Sequence, residues 1–159
     1  MSDTEEMILS ALQSWSQVIS RLDQRLLIVT DEQLDREVSP GRNRLIYLLG
    51  HLTAAHDKMR VLLRMGDRLH PELDLPFFDH PDRSEKHELS SFDLKQAWSH
   101  VNRDLTTGML TFKSDEWLER HSEVSEAEFL KDRSRNRLAI LLSRTNHASF
   151  HLGQIVLVS

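Results

Sequence analysis

The stretch ILSALQSWSQVISRLDQRLLIV, residues 8–29, carries apolar side chains at alternating steps of four and three residues. These positions are Ile8, Leu12, Trp15, Ile19, Leu22, Leu26 and Val29. Because an α-helix has about 3.6 residues per turn, this spacing places all of these side chains on one face. The stretch therefore predicts an amphipathic helix that packs its apolar face against other helices.

Three further segments repeat the pattern. The second follows SPGRN (39–43), ends near Gly66 and carries apolar positions at Leu45, Leu49, Leu52, His56, Met59 and Leu63. The third begins at a cap, Ser90 or Ser91, and continues through Leu94, Trp98, Val101, Leu105, Met109 and Phe112. The fourth begins at about Asn136 and continues through Leu138, Leu141, Thr145, Ala148, Leu152 and Ile155. No segment alternates with the period of a strand, so the sequence predicts an all-α four-helix bundle.

Two long connections separate the last three segments. Residues 66–89 contain three of the four prolines and three of the nine histidines, without a sustained period. Connections of this length usually have a function or cross the end of a bundle. In the second connection, roughly 113–135, we expect Trp117 and Phe129 to pack onto the helices. The 159 residues are predicted to form one domain, residues 1–159.

Composition excludes several classes of protein. Hydrophobic residues make up 39% and charged residues 28% of the chain, as in soluble globular proteins. A formal net charge of −5 argues against a nucleic-acid partner. No apolar run approaches the roughly 20 residues that cross a membrane. The acidic start, MSDTEEMILS, lacks the basic region of a secretion signal, so we expect a cytoplasmic protein.

The chain contains no cysteine, which excludes disulfides, thiolate nucleophiles and iron–sulfur clusters. A metal site would therefore use nitrogen and oxygen ligands.

In NHASFHLGQI, residues 146–155, His147 and His151 are four residues apart and lie on one helix face. Two imidazoles at this spacing can bind one metal ion, as in the HExxH motif. The glutamate of that motif is missing here, so the pair is not a zinc-protease site.

The third ligand has three candidates on regular structure: His51, His56 and His100. His51, His147 and His151 each stand one residue before an apolar core position, at the margin of the apolar stripe. A ligand on this margin reaches a shared cavity and leaves one coordination position open to solvent. His56 falls on the stripe itself, so periodicity alone favours it as the more buried group, and a neutral core histidine is its simplest interpretation. His51 and His56 are about 140° apart around a helix, so they do not face one ion together.

Two motifs resemble the DinB/YfiT-like family of metal-dependent enzymes. They are LLGHLTAAHDKM (48–59) and NHASFHLGQI (146–155), accompanied by VTDEQL (29–34) after the first helix. The resemblance covers essentially the whole chain. It implies a four-helix bundle with long connections between helices 2 and 3 and helices 3 and 4. It also implies one divalent ion, usually zinc or nickel, bound by His51, His147 and His151.

The remaining site residues follow from the same resemblance. His56 is expected to lie near the metal-bound water, as a proton acceptor with a catalytic role or as a group that supports the ligands. Gln154 is expected to orient a bound ligand or cofactor, although a surface glutamine is an equal alternative. Gly153 is expected to let a neighbouring helix approach beside His151. Phe77 and Phe78 are expected to anchor the first long connection or to line an apolar entrance.

The resemblance implies a hydrolase or, more sharply, a transferase that adds a low-molecular-weight thiol cofactor to an electrophile. The substrate would be a small molecule, and the family implies a homodimer. The open ion would stabilise the thiol as a thiolate. The alternative is a non-catalytic, stress-related interaction module with a structural ion, which a fourth protein ligand such as Asp57 or a loop histidine would indicate.

Overall fold

Four long helices and three short ones make up the protein in a computed structural model that describes residues 1–158. They are α1 (Asp3–Leu26), α2 (Asp31–Leu34), α3 (Leu45–Leu62), α4 (Ser91–Met109), α5 (Ser114–Trp117), α6 (Glu126–Lys131) and α7 (Arg137–Ile155). Within the described residues there is no strand, only two isolated bridges, Glu37–Arg44 and Arg120–Asn136. The prediction of an all-α fold is confirmed. The domain limits, 1–159, stay a prediction, and Ser159 lies outside the described residues.

The helices begin where the sequence supplies a cap. Ser2, Thr30, Ser90 and Ser125 each accept a hydrogen bond from the third helical amide, and Asn136 caps α7 in the same way. These contacts satisfy amides that have no partner within the helix. The start of α3 is different, because Arg44 makes no side-chain cap.

A remote carboxylate supports the start of α3. The Arg44 amide donates a hydrogen bond to Asp82 Oδ2 at 2.8 Å, and its guanidinium pairs with Oδ1 at 2.8 Å. Asp82 belongs to the connection between α3 and α4, so this contact fixes the connection to α3. The Arg44 guanidinium and amide also hold the pKa of Asp82 below its usual value despite partial burial. The ion pair therefore keeps the carboxylate charged.

The apolar face predicted for residues 8–29 is buried between helices. In α1, Ile8, Trp15, Ile19, Leu22 and Leu26 are all buried. Helix α1 packs against α7 and α4, and α3 packs against α4 and α7. Each fully buried leucine stabilises the fold by about 1.5–3 kcal/mol relative to an exposed one. No helix among residues 1–158 combines the length and apolar character needed to cross a bilayer.

The connection between α3 and α4 packs closely on α3. It contains a 3₁₀ turn, Pro71–Leu73, and a π-helical turn, Leu75–Asp79, both in contact with α3. Phe77 is buried against Gly50, where a Cβ atom would lie 2.3 Å from the ring carbon Cγ. Glycine at this position therefore allows the connection to approach the helix.

The second connection contains structure that periodicity did not predict. Helix α4 ends at Met109, before Phe112. The amide and the hydroxyl of Thr111 both donate hydrogen bonds to the Gly108 carbonyl, and this turn ends the helix. The short helices α5 and α6 follow. Trp117 is buried in the apolar core, which confirms that it packs onto the long helices. Phe129 is also buried, and its packing onto the long helices stays a prediction.

Candidate metal centre

Three imidazoles converge between α3 and α7. His51 Nε2 lies 3.1 Å from His147 Nε2, and His151 Nε2 lies 3.2 Å from the same atom. One nitrogen from each ring falls within 4.8 Å of the other two. His147 and His151 are neighbours through the helical period of α7, whereas His51 reaches them because α3 packs against α7. The chain thus brings together the three histidines that the resemblance implied as ligands.

Hydrogen bonds on the outer nitrogens orient two of the rings. His51 Nδ1 lies 2.9 Å from the Phe77 carbonyl oxygen, and His151 Nδ1 lies 2.7 Å from Gln154 Oε1. Since both oxygens accept, each Nδ1 carries the hydrogen. In the neutral rings this leaves the lone pair on Nε2, which points into the cluster. Such outer hydrogen bonds are typical of histidines that bind metals.

His147 cannot donate a hydrogen bond to the Nε2 atoms of both His51 and His151. A neutral ring has one N–H, so His147 Nε2 can donate to only one of the two lone pairs that face it. If the hydrogen sits on Nδ1 instead, it meets no acceptor, because His147 Nδ1 is buried without a partner among the described residues. A cation between the three Nε2 atoms would satisfy all three lone pairs. The donor set and its hydrogen bonds therefore fit a metal ion.

The three rings are held neutral. Burial, followed by the charges of His151 and His51, lowers the pKa of His147 to about 4. Burial also lowers the pKa values of His51 and His151, against the opposing effects of the Phe77 and Gln154 hydrogen bonds. Neutral imidazoles are the form that binds metals, so at neutral pH no proton competes for the site.

No fourth protein ligand joins the cluster in the described part of the chain. Asp57, a candidate for that role, faces the connection between α3 and α4 instead. Its buried carboxylate accepts hydrogen bonds from Arg68 Nε at 2.8 Å and from the amides of Leu69 and His70 at 2.9 and 2.8 Å. Three nitrogen ligands without a fourth protein group leave a coordination position for water or substrate.

His56 lies in the core and not in the triad. Its side chain has 0% exposure, and its ring packs between Trp15 and Trp98, with centroids 4.8 and 5.3 Å away. Its Nδ1 donates to Asn102 Oδ1 at 2.8 Å, while its Nε2 is buried and meets no partner in the described part of the chain. Burial lowers the pKa of His56 to about 3, against the opposing Asn102 hydrogen bond. The predicted catalytic role of His56 stays a prediction.

The other expectations at the end of α7 have different outcomes. Gln154 orients His151 through the hydrogen bond already described, and its predicted contact with a cofactor stays a prediction. The expectation for Gly153 is wrong, because a Cβ atom there would meet no other group within 4 Å. Gly50 is the glycine that close packing requires, and its position beside His51 on α3 was not recognised.

Two exposed phenylalanines border the triad. Phe78 stacks on His51 with ring centroids 5.5 Å apart, and Phe150 meets His151 edge-on at 5.2 Å. They are 37% and 65% exposed. Phe77, in contrast, is buried and anchors the connection. Of the two phenylalanines in LPFFDH, Phe77 therefore has the anchoring role and Phe78 the position at the mouth of the site.

A cavity of about 700 Å³ lies elsewhere. Its walls come from the connection after α3 and from α4, and they include His70 and His100. His70 Nε2 lies 3.1 Å from His100 Nδ1, and His70 Nδ1 lies 2.9 Å from Glu72 Oε1. His100, a candidate third ligand, is exposed in this cavity and does not join the triad. This cavity does not include the triad.

Arg144 was also missed as a residue of the site. It precedes His147 by three positions on α7, and its positive charge contributes to the lowered pKa values of His51, His56 and His147. The signal was present in the sequence, because positions 144, 147 and 151 follow the i, i+3, i+7 spacing of one helix face.

Comparison with known proteins identifies the family. The crystal structure of a conserved protein from Enterococcus faecalis matches this chain with a TM-score of 0.63 and 16% sequence identity. The match covers 99% of this chain and 98% of that one, and at this identity it concerns the fold alone. No curated protein matches the chain. The sequence profile of the DinB superfamily matches residues 14–155, which include the three clustered histidines. The chain therefore belongs to the DinB superfamily.

Proposed function

We propose that this protein is a metal-dependent enzyme in which His51, His147 and His151 bind one divalent cation. The observation that carries the proposal is the convergence of three neutral Nε2 atoms with no fourth protein ligand among residues 1–158. Zinc and nickel are the proposed ions, since imidazole suits both. We also propose that α1, α3, α4 and α7 form a four-helix bundle, supported by their pairwise packing.

The spacing of the nitrogens supports this assignment. Nitrogens about 2.05 Å from a tetrahedral zinc ion are roughly 3.3 Å apart. The two Nε2–Nε2 distances of 3.1 and 3.2 Å lie close to that value. The third pair, His51 and His151, lies within 4.8 Å, so a zinc ion would draw these two rings closer together. The Phe77 carbonyl and Gln154 already orient both of them.

The proposed chemistry is thiol S-transfer, with hydrolysis as the second candidate. A divalent ion bound by three neutral ligands keeps its full charge and makes a thiol or water in the open position more acidic. The chain itself orients the imidazoles and keeps them unprotonated. Phe78 and Phe150 provide an apolar border where a small-molecule substrate can bind. Since the chain has no cysteine, a nucleophilic sulfur would come from a low-molecular-weight thiol.

The alternative, a non-catalytic metal-stabilised module, is less consistent with this ligand set. Structural zinc sites usually have four protein ligands. The candidate fourth ligand Asp57 is occupied by Arg68 and by two backbone amides. We therefore favour the enzyme.

We also propose the homodimer that the family implies. Sedimentation equilibrium of the metal-loaded protein tests this oligomeric state.

Elemental analysis and metal titration test the site. Protein purified without an affinity tag is expected to contain, or to take up, one zinc or nickel ion per chain. His147→Ala should lower zinc affinity at least a hundredfold, because His147 Nε2 is the nitrogen common to both close contacts. His80→Ala, at a histidine with 42% side-chain exposure outside the triad, is the matched control. Equal zinc affinity of wild type and His147→Ala would refute the assignment.

An activity screen distinguishes the reactions. Metal-loaded protein is mixed with a thiol and an electrophile, and loss of free thiol is followed against a protein-free blank. S-transfer consumes thiol in proportion to the electrophile, whereas hydrolysis of an ester proceeds without thiol. Activity should be lost in His147→Ala and retained in His80→Ala. If metal-loaded wild type catalyses neither reaction above the blank, the enzyme assignment fails and the non-catalytic module is favoured.

A further inference from the structure

Arg144 is a cation beside the triad that has no protein partner among residues 1–158. Its Nε is buried and has no hydrogen-bond partner within residues 1–158. Its guanidinium forms no ion pair with any described carboxylate. Glu123 acts on it electrostatically but does not reach salt-bridge distance, and burial lowers the pKa of Arg144. Partly buried arginines normally pair with an anion. Arg144 has no anionic partner among the described residues.

The position of Arg144 relates it to the proposed ligands. Residues 144, 147 and 151 are spaced i, i+3 and i+7 on α7, so they lie along one face of the helix. Three residues correspond to a rise of about 4.5 Å along the axis. Helix α3, which carries His51, packs against α7. Arg144 therefore belongs to the surroundings of the site.

The charge around the site is unbalanced. Among the described residues, no carboxylate joins the three imidazoles in the cluster. With three neutral imidazoles, a divalent ion and the guanidinium would give the site a charge of +3. An open coordination position accepts one donor atom, and the guanidinium can form a bidentate pair with a carboxylate. Both features favour an anionic ligand.

We propose that Arg144 binds a carboxylate group of the substrate or thiol cofactor while another atom of that molecule occupies the open metal position. This inference rests on the proposed function and names the chemical class of the ligand. A neutral molecule of the same size would leave the guanidinium unpaired and bind more weakly.

Cobalt-loaded protein and a matched pair of small thiols test the inference. The probes are 3-mercaptopropionate and its neutral isostere 3-mercaptopropionamide. Thiolate binding to Co²⁺ gives a near-ultraviolet charge-transfer band, which is titrated without need for catalysis. We expect wild type to bind the carboxylate at least tenfold more tightly than the amide. In Arg144→Met this preference should fall to about one, while Co²⁺ still binds.

Two further variants make the outcome specific. Arg144→Lys keeps the positive charge but not the bidentate geometry, so it should retain part of the preference for the carboxylate over the amide. This variant also provides a second test if Arg144→Met folds poorly. Arg21→Gln removes a positive charge from an exposed position on α1 and should leave the preference unchanged. An unchanged preference in both Arg144 variants overturns the inference while the metal site stands. If wild type binds no Co²⁺, the proposed function fails and this inference fails with it.

Discussion

Replacing Gly50 with alanine tests how the fold positions the site. A Cβ atom at residue 50 would lie 2.3, 2.5 and 2.7 Å from the ring atoms Cγ, Cδ1 and Cδ2 of Phe77. Ordinary carbon contacts are about 3.5–4.0 Å, so the ring must move by roughly 1 Å or more. Phe77 is 2% exposed and cannot swing into solvent. The backbone of the connection must therefore shift with the ring.

The expected loss of stability follows from two opposing effects. Alanine within a helix is favoured over glycine by about 0.5–1 kcal/mol. Overpacking a buried contact typically costs about 1–3 kcal/mol. The net loss should be about 1–2 kcal/mol, and each kcal/mol lowers Tm by roughly 2–4 °C for a domain of this size. Gly153→Ala is the control, because its Cβ meets nothing within 4 Å and that variant should be as stable as wild type or more so.

The same substitution should weaken metal binding. His51 donates to the Phe77 carbonyl, so moving Phe77 disturbs the orientation of the ring. Loss of such an outer hydrogen bond typically lowers metal affinity by about 10–100-fold. Thermal unfolding and zinc titration measure the two effects, and Gly50→Ala/Phe77→Leu should recover part of both. If Gly50→Ala unfolds at the same temperature as Gly153→Ala, and both bind zinc equally, the reasoning is refuted.

Two further predictions concern buried ionisable groups. Burial lowers the pKa of His56 from 6.5 to about 3, so the folded protein resists protonation that the unfolded chain accepts, and stability falls as pH drops below 6.5. Between pH 6.5 and 4.5 the wild type should lose about 2–3 kcal/mol more of its unfolding free energy than His56→Gln does, as measured by urea titration. Equal losses in wild type and His56→Gln would contradict this. Asp57→Ala removes the fully buried partner of Arg68 and should cost about 3–5 kcal/mol, more than Asp74→Ala at the partly buried partner of the same arginine. Similar urea midpoints for the two aspartate variants would show that burial does not govern this pair.

Local sequence signals predicted the long helices well. The steps of four and three in residues 8–29 correspond to α1, whose buried residues include Trp15, Leu22 and Leu26. The cap at Ser90 was also recognised, since a serine before an apolar run satisfies a free amide wherever the helix packs. The pair His147 and His151 came from the same period. All of these features depend on residues within one or two turns of each other.

Local reasoning left the third histidine open between His51, at the margin of the apolar stripe, and His56. Periodicity measures burial, and it favoured His56 only as the more buried group, with 0% exposure in the structure. A ligand must instead reach a shared position, and His51 does so from the margin of α3 across 96 residues of sequence. The resemblance to the family identified His51, because a motif records such long-range contacts indirectly. Asp82 belongs to the same class, since its contact with Arg44 joins two elements that the period of one helix does not relate.

His51 takes part both in the packing of the fold and in the proposed metal site. One ring nitrogen binds the carbonyl of Phe77, and the other faces His147 on α7. The carbonyl is placed by a ring that packs on Gly50, the residue immediately before His51. Metal affinity should therefore depend on the packing of the connection after α3, although no residue of that connection is a proposed ligand. A metal bound by His51 and His147 would in turn join α3 to α7 and stabilise the folded state by mass action. The packing that positions the ligands and the ion that they bind thus stabilise the same helix contact.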